Sequence, residues 1–104
     1  MTDDLAKCFE PAKLNGLTLK NRFIKAGTYE GMTPNGTPSS ALLDFHSNIA
    51  KGGAAMTTIG YCATEADGRL NENMLYMHEA IRQPLGDMIT ELHQLGSKVS
   101  GQMG

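Results

Sequence analysis

Three short runs rich in strand-forming residues punctuate this chain: 22–28 (Arg-Phe-Ile-Lys-Ala-Gly-Thr), 55–61 (Ala-Met-Thr-Thr-Ile-Gly-Tyr) and 98–103 (Lys-Val-Ser-Gly-Gln-Met). One helix-like segment lies between each consecutive pair. The first runs from about Ser39 to Lys51, with Ser39 as N-cap and Leu42, Phe45 and Ile49 at i, i+3 and i+7. The second opens near Pro84, which the first helical turn tolerates. Its apolar stripe is Leu85, Met88, Ile89, Leu92 and Leu95, and Gly96 ends it. Strand, helix, strand, helix, strand is the grammar of a parallel α/β sheet. A parallel barrel takes roughly eight such repeats and about 250 residues, and the 104 residues here carry two and a half. The chain is therefore expected to be a single partial domain and the opening part of a larger protein.

The connections add detail. Asn15-Gly16, flanked by Leu14 and Leu17, predicts a small β-hairpin over about 9–20, ahead of the first parallel strand. In a barrel, such a hairpin would plug the end where the strands begin. Gly52-Gly53 reads as a helix end; a phosphate site is the weaker alternative, because the pair precedes a strand and not a helix N-terminus. Residues 62–79 form a long connection with a turn at Asp67-Gly68. Met74, Tyr76 and Met77 in that connection either line a substrate mouth or cover the rim.

Composition narrows the function classes. Nine Lys+Arg against eleven Asp+Glu give a formal net charge of -2, with no basic patch, so nucleic acid is a poor partner. No apolar run approaches the roughly 20 residues of a membrane span. The acidic, polar start is no secretory signal, which makes the cytoplasm the expected location. Cys8 and Cys62 are the only cysteines; they are expected to be free thiols, and no Cys/His spacing suggests a metal site.

Chemistry is expected where the parallel strands end, because the βα loops converge there. Those ends carry Ala26, Gly27, Thr28 and Tyr29, then Gly60, Tyr61 and Cys62, then Gln102. The set holds small residues, hydroxyls and one amide. It holds no carboxylate pair, no histidine cluster and no nucleophile beside a base. Such a set is poor for hydrolysis and suits a flat, polar, uncharged ring. Two readings stay open at Ala26-Gly27, close ligand approach or a simple bend. Two stay open at Gln102, a ligand contact or a hydrogen-bonded rim glutamine. His46 and His93, within helices, are expected to face solvent or cap; His78 lies beside Glu79, and none of the three is expected to be a catalytic base.

Residues 9–22 (Phe-Glu-Pro-Ala-Lys-Leu-Asn-Gly-Leu-Thr-Leu-Lys-Asn-Arg) resemble the start of the old yellow enzyme family, the FMN-dependent NADH:flavin oxidoreductases and ene reductases. Residues 45–69, with Gly52-Gly53 and Asp67-Gly68-Arg69, resemble that family's first helix and second strand. Residues 98–104 (Lys-Val-Ser-Gly-Gln-Met-Gly) resemble its third strand. The resemblance implies a TIM barrel holding FMN at its carboxyl face. Ala26, Gly27, Thr28 and Tyr29 would lie under or beside the ring, Gly60 and Tyr61 would meet it at the second strand, and Gln102 would bond its pyrimidine edge. It also implies hydride transfer from NAD(P)H through the flavin to an activated alkene. Tyr29 stands where many relatives carry Thr or Cys, and Tyr61 where Ala or Gly is usual. The family's catalytic residues lie downstream, so no residue here is assigned a catalytic role. The isolated chain is expected to be inactive. The alternative is a non-catalytic half-barrel that pairs with itself or a complementary fragment, a homo-oligomer joined at the incomplete barrel edge.

Overall fold

The computed structural model describes residues 3–104. A short helix α1 (Asp3–Ala6) and a 3-10 turn (Lys7–Phe9) lead into two short strands, β1 (Ala12–Leu14) and β2 (Leu17–Leu19). These pair antiparallel across the two-residue Asn15-Gly16 loop, and Asn15 takes φ 55°, as a tight hairpin turn requires. Leu17 and Leu19 pack on Ala55 and Met56, at the amino end of the central strand. The hairpin therefore closes the end of the sheet where that strand begins.

The remaining elements are β3 (Ile24–Lys25), α2 (Ser40–Lys51), β4 (Met56–Ala63), β5 (Leu75–Tyr76), α3 (Arg82–Gln94) and β6 (Lys98–Met103). β4 is central and parallel to all its neighbours. Ile24 and Lys25 pair with Met56 and Thr57. Lys98 to Gly101 pair with Met56 to Ile59, after which the register shifts before Cys62 meets Met103. β5 pairs with the end of β4, Leu75 opposite Cys62.

Helices α2 and α3 cover one face of this sheet. Leu42 and Ala50 of α2, Met88 and Leu92 of α3, and Ile59 and Cys62 of β4 form the main core. Ser39 caps α2 by accepting from the Leu42 amide at 3.2 Å, and its hydroxyl donates to the Met32 carbonyl. The left-handed residue after α2 is Gly53 (φ 105°); Gly52, expected there, is still right-handed.

Three local expectations change. The first parallel strand is ladder-paired only at Ile24–Lys25, short of 22–28, because Asn21 bends the chain before it. The Asn21 Oδ1 accepts from the Phe23 amide at 3.0 Å, and its Nδ2 donates to the Gly53 carbonyl at 2.7 Å. β5 lies inside a stretch read as pure loop. The buried stripe of α2 is Leu42, His46 and Ala50, at i, i+4 and i+8, with Phe45 and Ile49 only half-buried.

Candidate functional site

The carboxyl ends of β3, β4 and β6 meet on one side of the sheet. Gly27, Gly60 and Gln102, far apart in sequence, come together there. A Cβ on Gly27 would lie 2.1 Å from the Gln102 Oε1, so the glutamine side chain lies directly over Gly27. A Cβ on Gly60 would lie 2.8 Å from the Thr28 carbonyl oxygen and 3.0 Å from its nitrogen. Glycine at 60 thus lets two strand tips run in backbone contact. Tyr29 and Tyr61 flank the edge with ring centroids 6.2 Å apart. Ala26, Thr28, Tyr29 and Gln102 are exposed, whereas Gly60 is buried.

The Gln102 carboxamide has no hydrogen-bond partner among the described residues. Below it, Thr58 and Ser100 join their hydroxyls at 2.7 Å. The ledge therefore offers a free donor-acceptor amide, small backbone surfaces and two aromatic flanks, with no charge at its centre. That set fits the polar edge and flat face of a neutral heterocycle.

A buried polar cluster underlies the ledge on the α2 side, and it was not legible in the sequence. His46, expected to face solvent or cap, is fully buried. Its Nε2 lies 2.5 Å from the Glu30 Oε2 and its Nδ1 lies 2.6 Å from the Thr57 hydroxyl. The Nε2–Oε2 contact is close without the alignment of a hydrogen bond, and the Nδ1–Thr57 bond runs in either direction according to the ring tautomer. The Lys25 ammonium lies 3.8 Å from the same Oε2 and donates to the Thr28 hydroxyl and the Thr58 carbonyl, each at 3.2 Å. The other carboxylate oxygen, Oε1, accepts from the Gly60 amide at 3.2 Å. Glu30, His46 and Thr57 superficially match a nucleophilic triad. With Thr57 at 0% exposure no substrate reaches its hydroxyl, and the cluster is a support.

Of the other candidates, Met74 is buried and lines a small hollow with Tyr29, Gly60 and Tyr61. Tyr76 stacks on His78 at 3.9 Å with the Arg69 guanidinium 4.7 Å from its ring, so it packs the loop, and Met77 is exposed. His93 is exposed on α3. Cys62 is buried and free, and burial pushes its thiol above the ordinary 9.0. Gly52 and Gly53 line a hollow of about 470 Å³ with Phe9 and Phe23, at the opposite end of the strands. They close the carboxyl end of α2, whose dipole repels anions, and this removes the phosphate alternative. Among the described residues, no helix is long and apolar enough to cross a membrane, and no group of three or more His, Cys, Asp or Glu is placed to hold a metal ion.

The fold is that of a segment of a parallel α/β barrel, with the ledge at its strand tips. The structural neighbours are members of the old yellow enzyme family, and the chain has the fold of an N-terminal portion of their barrel. Old yellow enzyme from Pichia sp. superposes with a TM-score of 0.85 at 19% identity, over 93% of this chain and 26% of that one. Morphinone reductase in complex with tetrahydroNAD gives 0.81 at 18%, over 92% and 26%. A 2-naphthoyl-CoA reductase complex gives 0.87 at 20%, over 93% and 15%. In sequence the chain is 44% identical to the 4,4'-dithiodibutanoate disulfide reductase of Rhodococcus erythropolis, over 92% of this chain and 24% of that protein. It is 28% identical to a metal reductase of Desulforamulus reducens, over 90% and 16%. The chain thus spans a quarter or less of the curated relatives it matches. No protein-family model matches it.

Proposed function

We propose that this chain forms the first two and a half βα units, with their leading hairpin, of an FMN-dependent oxidoreductase barrel. The observation that carries the reading is the Gln102 carboxamide, which has no hydrogen-bond partner among the described residues and lies over Gly27. An amide both donates and accepts, which matches the alternating acceptors and donor of a flavin's pyrimidine edge. Ala26, Gly27, Thr28 and Tyr29 would hold the ring from β3, Gly60 and Tyr61 from β4, and Gln102 from β6. When bound, FMN would supply the relay of hydride from NAD(P)H to an activated alkene. This chain's own part is to bind and orient: its backbone surfaces set where the ring lies and its aromatic pair limits the approach. The names of the sequence relatives, both reductases, support the redox reading.

Titration of the protein with FMN, followed by flavin fluorescence, tests the proposal. Gln102→Leu keeps the bulk of the side chain and removes its polar edge. It is expected to weaken binding about ten-fold, the usual effect of losing one well-placed hydrogen-bonding group in a sheltered site. Equal FMN affinity in the parent and the variant removes the role given to Gln102. The chain alone is proposed to be inactive, and steady NADPH oxidation by it in the presence of FMN contradicts that.

A non-catalytic half-barrel remains the second reading, favoured by one observation: β6 pairs only with β4 among the described strands. Sedimentation equilibrium checks it, since the half-barrel reading requires a dimer or a partner-bound complex.

A further inference from the structure

Gly60 sits where the ladder fails. The β4–β6 register slips between Ile59 and Cys62, so the Gly60 amide lies in an irregular stretch of a buried strand. A buried backbone N–H and C=O must each find a partner. Both of Gly60's groups find the same one. Its N–H donates to the Glu30 side-chain Oε1 at 3.2 Å, and its carbonyl accepts from the Glu30 amide at 3.1 Å. One residue therefore holds the strand tip at both polar atoms.

The side chain that does this is itself over-determined. The Glu30 side chain is 4% exposed, and its second oxygen lies close to the His46 Nε2 and 3.8 Å from the Lys25 ammonium, as a charge pair and not a hydrogen bond. His46 is anchored in turn on Thr57, three residues before Gly60 on the same strand. Lys25 ties the same cluster to Thr28 and the Thr58 carbonyl. Every member thus grips a residue at or next to the ledge. A buried charged cluster is a costly way to gain stability, because an apolar set of similar volume does as well or better. Its distinctive yield is geometry.

We propose that Glu30 is a positioning residue: its buried carboxylate, carried by His46 and Lys25, sets the Gly60 backbone against Thr28 and so fixes the ledge. The consequence for a ligand rests on the reading of that ledge as a flavin site. The positioning itself does not.

Glu30→Gln tests it, with His46→Gln as the second variant. The amide keeps the shape of Glu30, replaces a charged acceptor with a neutral one, and sets an NH2 or carbonyl against the His46 ring. Amide hydrogen exchange by NMR reads Gly60 directly. Exchange at Gly60 is expected to speed up about ten-fold in Glu30→Gln, the difference between a charge-assisted and a neutral bond. It is expected to speed up less in His46→Gln, while Leu42 and Leu92 keep their rates in both. FMN affinity, and the absorbance shift of the bound flavin, are expected to weaken in the same order. Unchanged exchange at Gly60 in both variants overturns the proposal. So does a uniform acceleration of all amides, which marks the cluster as general support, or a Gly60 response with wild-type flavin affinity and spectrum. If Gly60 responds and the unsubstituted protein binds no FMN, the flavin reading fails and the positioning role stands.

Discussion

Adding one methyl group at Gly60 or at Gly27 separates two uses of glycine that the sequence alone makes look alike. At Gly60 a Cβ would lie 2.8 and 3.0 Å from the oxygen and nitrogen of Thr28, both backbone atoms. Those atoms belong to the strand tip that Glu30 and Lys25 hold, so they have no cheap way to retreat. Overpacking of this kind costs about 1–3 kcal/mol. Lost chain freedom in the unfolded state returns about 0.4–1 kcal/mol for Gly→Ala. Gly60→Ala is therefore expected to lose about 1–2 kcal/mol, which is roughly 5–10 °C in Tm for a chain of this size. At Gly27 the main obstacle is the far end of the Gln102 side chain, 2.1 Å away, which can swing out to solvent; its Cβ, at 3.2 Å, need give only a few tenths of an ångström. Gly27→Ala is expected to change stability by less than about 0.5 kcal/mol while moving Gln102 off the ledge. Thermal unfolding by circular dichroism reads the first effect, and the side-chain amide resonances of Gln102 read the second. A Gly60→Ala protein as stable as the parent refutes the close-contact argument. A Gly27→Ala protein that unfolds as early as Gly60→Ala refutes the distinction between flexible and fixed neighbours.

Further outcomes follow from other contacts. Gly36→Ala places a Cβ 2.3 Å from two Tyr76 ring carbons at φ 71°, so it should cost about 1–3 kcal/mol in urea unfolding and disperse the Tyr76–His78 stack, visible as a change in the His78 ring shifts. Ser39→Ala removes the α2 cap and should cost about 1 kcal/mol in the same assay. Cys8, partly exposed, should react with a thiol reagent in the folded protein, whereas Cys62 should react only on unfolding. Because the folded-state pKa of Cys62 is raised, the stability its buried thiol contributes is present below the ordinary 9.0 and is lost as pH rises beyond it. Urea midpoints at rising alkaline pH should therefore fall less steeply in Cys62→Ala.

The elements legible in the sequence were those with a local signal. Asn15-Gly16 carries its own turn geometry, Ser39 its cap, and the stripe from Leu85 to Leu95 its period. The alternation of strands and helices then fixed the parallel sheet, because few topologies join such elements by short connections. β5 was missed because a two-residue strand in an irregular loop has no period to detect. The stripe of α2 was misplaced by one position because His46 counts as polar in any hydropathy pattern, yet it fills a core site. Glu30 was missed for a related reason. Its partner lies 16 positions along the chain and its role depends on a register slip, and neither leaves a mark in composition or spacing. A lone acidic residue followed by a buried-phase histidine on the next helix is the only trace, and it is too common to act on. The ledge residues themselves were nameable because they sit at strand ends, where topology alone brings them together.

Along β6, Val99 turns inward to the helices, so Lys98, Ser100 and Gln102 must look the other way. That opposite surface, shared with the joined hydroxyls of Thr58 and Ser100, is one that water wets. A sheet whose uncovered side were valine and isoleucine would seek another hydrophobic surface at once. The residues that leave room for a polar guest thus also make this face of β6 a polar one.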